Sequence, residues 1–422
     1  MKRIPYLIVV SIIFIVSKAF AQSIPADSLS NLKEKAEEGD VYAQFDLGRL
    51  YHNNKDYNKA AYWFKLAAQQ GDADAQYNYG TCYYQGQGVE QNNDQAFYWM
   101  KQSAEQGHLY AQYHLGTFYE SGIGTPKDYF LAFSWYKKSA EQGYVISQYN
   151  LGVCYEEGRG ISKDYNQAVL WYTKAAEMNL ASAQYNLGLC YYEGRGVEKD
   201  YMQAVFWYTK AAEQRHASAQ YNLGICYYEG CGVEKDYKQA VFWYTKAAEQ
   251  GLASAQCNLG LCFFNGNGVT QDNRQAIHWF LKAAQQDKVE AQYNLGVCYY
   301  KTRNYKQAFY WYEKAAKQGD VRAQCNLGIC YFEGKGVAMN HDNAAYWLKK
   351  AAEKGDAKAQ YNLAVCLYKG EGCLKDEKMA IYWLKEAAKQ GSTDAKTLLN
   401  LIQHGTNNQV DKRKYELRRI IH

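Results

Sequence analysis

The string Ala183-Gln184-Tyr185-Asn186-Leu187-Gly188 returns in near-copy at residues 43, 75, 111, 147, 219, 255, 291, 323 and 359, with a degenerate copy at Ala395. The spacing is 36 residues, except for 32 after residue 43 and after residue 291. Self-similarity at such a period marks a stack of small supersecondary units that bury their apolar faces only against one another. Both short repeats lack the G-x-G-V segment seen at Gly194-Arg195-Gly196-Val197. A deletion confined to that segment places it in a loop and leaves the packing elements intact.

Each unit reads as two helices. Ala183, Leu187, Cys190 and Tyr191 fall at i, i+4, i+7 and i+8; Ala204, Trp207, Tyr208, Ala211 and Ala212 fall at i, i+3, i+4, i+7 and i+8. Both are apolar stripes of helical period. All ten tryptophans share the Trp207 column, which faces small alanines and predicts an interlocking core. Four residues before each first core alanine of the second helix stands Asp or Asn, among them Asp164, Asp200 and Asp236. These side chains accept from the unpaired N–H groups of a first turn, so they are read as structural N-caps. Gly71, Gly107, Gly143, Gly251, Gly319, Gly355 and Gly391, with Asn179, follow the second helix as left-handed stops, and Arg215 and Asp287 depart from that pattern. Glycines at the Gly188 position lie inside the first helix, where they cost about 1 kcal/mol relative to Ala; their recurrence predicts a close helix approach.

The motif A-Q-Y-N-L-G, then Tyr, then G-x-G-V, then D-Y-x-Q-A-x-x-W-Y-x-K-A-A-x-x-G resembles the Sel1-like repeat, the 36-residue relative of the tetratricopeptide repeat. The resemblance covers roughly residues 29–404. It implies an all-α, right-handed α/α superhelical solenoid of about ten helix-pair repeats with half-repeat caps, first helices lining the concave face. It also implies a role in complex assembly or envelope signalling without catalysis. One secreted, cysteine-rich branch of the family pairs two cysteines eight residues apart and is linked to β-lactam binding or hydrolysis. Here those places hold Ala212 and Gln220, or Ala176 and Gln184, so the disulfide framework and that activity are both placed in doubt.

The expected organisation is a signal peptide at 1–21, an N-terminal half-repeat cap at 22–42, ten repeats at 43–394, a capping helix at 395–405 and a basic tail at 406–422. Lys2 and Arg3, the apolar run Ile4 to Val16 and the small-x-small site Ala19-Phe20-Ala21 compose a secretory signal. With no Asn-x-Ser/Thr sequon, the expectation is an exported bacterial protein, periplasmic or secreted, with no transmembrane segment after cleavage. Of the net charge of +5, the signal and the segment Asp411 to His422 carry +3 each, leaving the body at −1. A near-neutral body argues against a nucleic-acid groove.

Eight of twelve cysteines share the Cys190 column, which Leu50 and Phe118 also occupy, and so read as small buried hydrophobes. Cys231, Cys257, Cys325 and Cys373 are irregular, and a Cys366–Cys373 disulfide is left open. His108 and His114 stand six apart, unlike the i, i+4 pair of a helical zinc site. No nucleophile elbow or phosphate loop is present, so no catalytic, metal or cofactor residue is assigned.

By tetratricopeptide analogy, the concave face carries Tyr149, Tyr185, Tyr221 and Tyr293 of the anchor column and Tyr192, Tyr228, Phe264 and Tyr300 of an outer column, with Glu193 and Glu229 beside them. Tyrosine offers contact area and a polar tip at low entropy cost. Tyrosines also fill gaps between repeats, and the Asn column (Asn186, Asn222, Asn258) either clamps a ligand or bonds within the scaffold. The functional expectation is a non-enzymatic scaffold binding a protein or peptide. The alternatives are a β-lactam- or peptidoglycan-directed hydrolase and an aromatic-lined glycan binder.

Overall fold

The computed structural model describes residues 26–404, which form 22 α-helices from Ala26–Glu37 to Thr393–His404, with no strand among the described residues. The expected signal peptide and basic tail lie outside the described residues. No helix described is long and apolar enough to cross a membrane. The chain divides into two compact units, Met1–Ala183 and Gln184–His422, each an all-α solenoid of tandem helix pairs. In the second unit the later first helices are Ala217–Glu229, Ala253–Asn265, Val289–Lys301, Val321–Glu333, Ala357–Lys369 and the closing Thr393–His404. Its second helices are Tyr201–Glu213, Tyr237–Glu249, Asn273–Ala284, Tyr305–Lys317, His341–Glu353 and Glu377–Lys389.

The second helices begin where capping chemistry puts them. Asp164 accepts from the Gln167 N–H, Asp200 from Met202 and Gln203, and Asp236 from Lys238 and Gln239. First helices have caps as well: Asp40, Asp72, Asp320 and Asp356 use carboxylates, and His108 and His216 use Nδ1 as acceptor. The helix stops hold a surprise. Arg215 and Asp287 keep the left-handed backbone of the glycine positions, at φ 64° and 56°. The turn geometry of the repeat is preserved and the side chain carries the strain.

Core packing corrects the reading of the tryptophans. Only Trp171 and Trp311 are buried. The residue fully enclosed in each pair is the next one along: Phe64, Tyr136, Tyr172, Tyr208, Tyr244, Phe280 and Tyr312 are at most 2 % exposed. Each stripe offers both i+3 and i+4, and only the i+4 ring lies over the mid-helix glycine of the preceding first helix. A Cβ on Gly224 would stand 2.6 Å from the Tyr244 ring, and one on Gly188 2.7 Å from Tyr208. The close approach is thus chiefly of glycine to ring. Trp243, Trp279 and Trp347 instead lean on the core of the repeat before them, half-buried.

Candidate functional site

The candidate residues sit on the first helices in two rows set by helical register. Tyr149 belongs to the first unit, its ring 5.9 Å from Tyr172. The other nine belong to the second unit. There Tyr185, Tyr221 and Tyr293 rest on the buried rings of Tyr208, Tyr244 and Tyr312, at centroid distances of 6.0, 5.9 and 6.2 Å. Tyr185 also stacks on His216 at 4.8 Å, and the Arg322 guanidinium lies 4.1 Å over Tyr293. Each anchor tyrosine is half-buried, and burial raises the hydroxyl pKa of Tyr221 and Tyr293. They are neutral donors at any physiological pH.

The outer row does more structural work than its spacing suggested. Asn267, in the loop of one repeat, donates from Nδ2 to the Tyr228 hydroxyl of the repeat before it, 2.8 Å away. The adjacent Gly268 leaves no room for a Cβ beside the Tyr237 carbonyl, so the loop lies directly on the preceding second helix. Lys335 repeats the contact, donating to the Tyr300 hydroxyl at 2.9 Å while Tyr300 donates to Glu333 at 3.2 Å. In the first unit Arg159 reaches back to Glu120 at 2.6 Å and Gln87 to His52 at 3.3 Å. In these four loops the middle residue of the G-x-G reaches the outer row of the preceding repeat. Phe264 is half-buried between two core clusters and covered by Lys301, 4.1 Å over its ring. Burial, with Glu229 next in effect, pushes the Tyr192 hydroxyl up to about 12.

Glu193 and Glu229 remain exposed. Glu193 pairs with Arg195 at 2.8 Å, and Glu229 accepts a weak contact from the Cys231 thiol at 3.8 Å. The Asn column turns inward: Asn258 lies beside the hydroxyls of Tyr244 and Tyr221, and Asn78 donates to the Asp74 carbonyl at 2.8 Å. Outer-row carboxylates in the first unit turn inward too. Tyr136 donates to Glu120 at 2.8 Å and Tyr172 to Glu156 at 2.6 Å.

The Cys190-column thiols are buried, and burial pushes Cys226, Cys298 and Cys330 up to about 12, far from the thiolate a nucleophile or metal ligand requires. Cys366 and Cys373 stand as free thiols. Among the described residues no group of His, Cys, Asp and Glu is arranged to hold a metal ion.

What spacing alone missed is a ladder of glutamines. Gln220 donates from Nε2 to the Ala212 carbonyl at 3.0 Å and accepts at Oε1 from Gln250 at 2.7 Å. Gln76, Gln112 and Gln256 do the same with Ala68, Ala104 and Ala248 and with Gln106, Gln142 and Gln286. The eight-residue interval from Ala212 to Gln220 was in view, but nothing in the string A-Q-Y-N-L-G says that its glutamine is buried.

Stacked helix pairs, sealed by intra-scaffold hydrogen bonds and presenting one regular face of rings and charges, define a tetratricopeptide-like repeat scaffold. Such solenoids are typically non-catalytic. The Sel1 repeat model matches ten times, over residues 41–72, 73–108, 109–144, 145–180, 181–216, 217–252, 253–288, 289–320, 321–356 and 357–392, and the chain belongs to the Sel1 repeat family. It is similar to a protective antigen present in uropathogenic Escherichia coli strains that displays an SLR fold. The two are 33% identical, with 89% of this chain and 90% of that one covered at a TM-score of 0.79. It is also similar to a Sel1 repeat protein from Oxalobacter formigenes, at 33% identity over 57% of this chain and 96% of that one, TM-score 0.52. No curated protein matches the sequence.

Proposed function

We propose that the protein is a non-enzymatic scaffold of the cell envelope or secreted space that binds a protein or peptide along the first-helix face of its second unit. The observation that carries this reading is the pairing, in successive repeats, of a half-buried tyrosine row (Tyr185, Tyr221) with an exposed carboxylate (Glu193, Glu229). The rings are fixed by packing on Tyr208 and Tyr244, so a partner meets pre-ordered contact area and orders little on binding. The exposed Glu193 and Glu229 offer carboxylates to basic residues of a partner at those two repeats. The export expectation rests on the basic, apolar and small-residue order of residues 1–21.

The test places a photocrosslinker at Ser218 in the full chain expressed in its native envelope and identifies the captured protein. The expected result is one specific adduct, lost in Glu193→Lys/Glu229→Lys. These positions are exposed, so the double variant keeps its fold. An adduct that survives the charge reversal overturns the face assignment.

A further inference from the structure

The second helices carry a surface that the first-helix reading leaves unused. The residue before each Trp lies outside the core stripe. In six consecutive repeats of the second unit it is a ring: Phe206, Phe242, His278, Tyr310, Tyr346 and Tyr382. The five carbocyclic rings are 45–50 % exposed, and His278 is exposed as well. Each is locked edge-on against its Trp, with centroids 4.9–5.2 Å apart and interplanar angles of 72–82°. One turn on, a lysine leans over the pair in the first five of these repeats, and Glu386 stands in that place in the sixth. Lys210 lies 5.0 Å from Phe206, Lys246 5.6 Å from Phe242, Lys282 4.6 Å from Trp279 and Lys350 4.6 Å from Tyr346. Neighbouring Lys317 and Lys349 pair with Glu313 and Glu353, whereas this column lies against the rings.

Charge separates the two faces. The six second helices hold thirteen Lys/Arg against seven Asp/Glu, a net +6, whereas the six later first helices hold five against four, a net +1. The N-cap carboxylates Asp200, Asp236, Asp272 and Asp376 bring the second helices down to a net +2, so the positive charge is concentrated in the lysine column, which sets one ammonium beside the ring in each of the first five repeats.

We infer that this file binds a linear acidic polysaccharide, one whose carboxylates recur on alternate sugars. The sugar C–H faces cover the rings, and the carboxylates meet the lysines. Charge density selects this occupant over a nucleic acid. Each second helix packs chiefly on the first helices before and after it, so successive rings stand at least the ~10 Å of packed helices apart, whereas a nucleic-acid strand brings a phosphate about every 3.4 Å. A nucleic acid thus delivers about three charges where the surface offers one. The inference is independent of the peptide-binding reading above.

The probe is hyaluronan oligosaccharide titrated into the full chain. Binding is expected, weakening with salt, with neutral dextran inert. Phe206→Ser/Phe242→Ser/Tyr310→Ser/Tyr346→Ser weakens it at least tenfold, and Ser134 already fills this column in the first unit. Lys210→Gln/Lys246→Gln/Lys282→Gln/Lys314→Gln, with Gln102 as its natural counterpart, weakens it as much and flattens the salt dependence. Glu193→Lys/Glu229→Lys leaves it unchanged, which separates this outcome from failure of the first-helix reading. No binding, or binding that survives both sets of substitutions, overturns the inference. So does equal or tighter binding of poly-L-glutamate, oligo-dT or phosphatidylglycerol vesicles.

Discussion

Gln220 donates a hydrogen bond from Nε2 to the carbonyl oxygen of Ala212, eight residues earlier, across 3.0 Å of buried space. These are the two places that the cysteine-rich branch of the family fills with a disulfide. Here a polar clamp joins the end of one helix pair to the start of the next, and Gln250 extends it to the end of that second pair. Gln220→Ala removes both hydrogen bonds, while the Ala212 carbonyl keeps the Arg215 N–H at 3.0 Å and the exposed Gln250 amide turns to water, so a loss of about 1 kcal/mol is expected. Urea unfolding followed by circular dichroism measures it; an unchanged midpoint would mean that the ladder contributes nothing.

The ladder is broken at two rungs, and the breaks have an evident cause. The buried Oε1 atoms of Gln148 and Gln324 have no donor. In each case the glutamine that donates elsewhere is replaced, by Met178 and by Lys354. Lys354 still reaches the Gly319 carbonyl at 3.2 Å, as Gln106 reaches that of Gly71, but it leaves the Gln324 Oε1 without a donor. Met178→Gln and Lys354→Gln are each expected to stabilise by about 1 kcal/mol, the net worth of one hydrogen bond. A lowered melting temperature in both would contradict this account.

The repeat, its helix pairs and the Asp/Asn caps were legible because each is a local rule: period, stripe and cap chemistry involve residues within one or two turns. The ladder was not, because a glutamine in a helical string reads as solvent-facing until the carbonyl eight residues back is known to be buried beside it. The enclosed ring was half-legible. Trp207 and Tyr208 both fall on the apolar stripe, and only the position of Gly188 decides which of them is swallowed. The outer row misled in part: Tyr228 and Tyr300 look free along the first helix, and their loop partners Asn267 and Lys335 lie 39 and 35 residues away.

The glycine-to-ring fit makes an unusual demand on a helix interior. Gly224→Ala raises intrinsic helix propensity by about 1 kcal/mol, yet its Cβ would sit 2.6 Å from the Tyr244 ring. Overpacking of this kind costs about 1–3 kcal/mol, so the variant is expected to be destabilised. Leu384 occupies the Tyr244 column where Ala364 replaces the glycine. Tyr244→Leu is therefore expected to recover the loss, with a favourable coupling energy in a double-mutant cycle. Additive effects would refute the fit.

Arg215 holds a left-handed backbone at φ 64° that eight equivalent positions, from Gly39 to Gly391, assign to glycine. For a residue with a Cβ this conformation costs about 1–2 kcal/mol. Glycine gives back part of that through its more flexible unfolded chain. Arg215→Gly is expected to stabilise by about 0.5–1 kcal/mol, and Asp287→Gly at φ 56° likewise. Thermal melts of the two variants check it, and a fall in both would show that the Arg and Asp side chains contribute more than the strain they carry.

His114 is the lone histidine in a column otherwise filled mostly by asparagine, and it is buried between Tyr77 and Tyr113, at centroid distances of 5.7 and 5.0 Å. Burial, with a smaller contribution from His108, lowers its pKa to about 4. The unfolded chain takes up that proton near 6.5, so between pH 6.5 and 4 the unfolded state binds more protons than the folded one. The stabilisation is complete above pH 6.5 and is lost as pH falls toward 4, by roughly 3 kcal/mol in all. His114→Asn restores the residue of Asn78 and Asn150 and removes the titrating group. Its unfolding free energy is therefore expected to fall less steeply than the parent's across that window. The difference between the two curves should be greatest at the acid end and vanish in slope above pH 7. Parallel curves throughout would locate the acid sensitivity elsewhere, the first candidate being the His108–Asp74 pair at 3.1 Å.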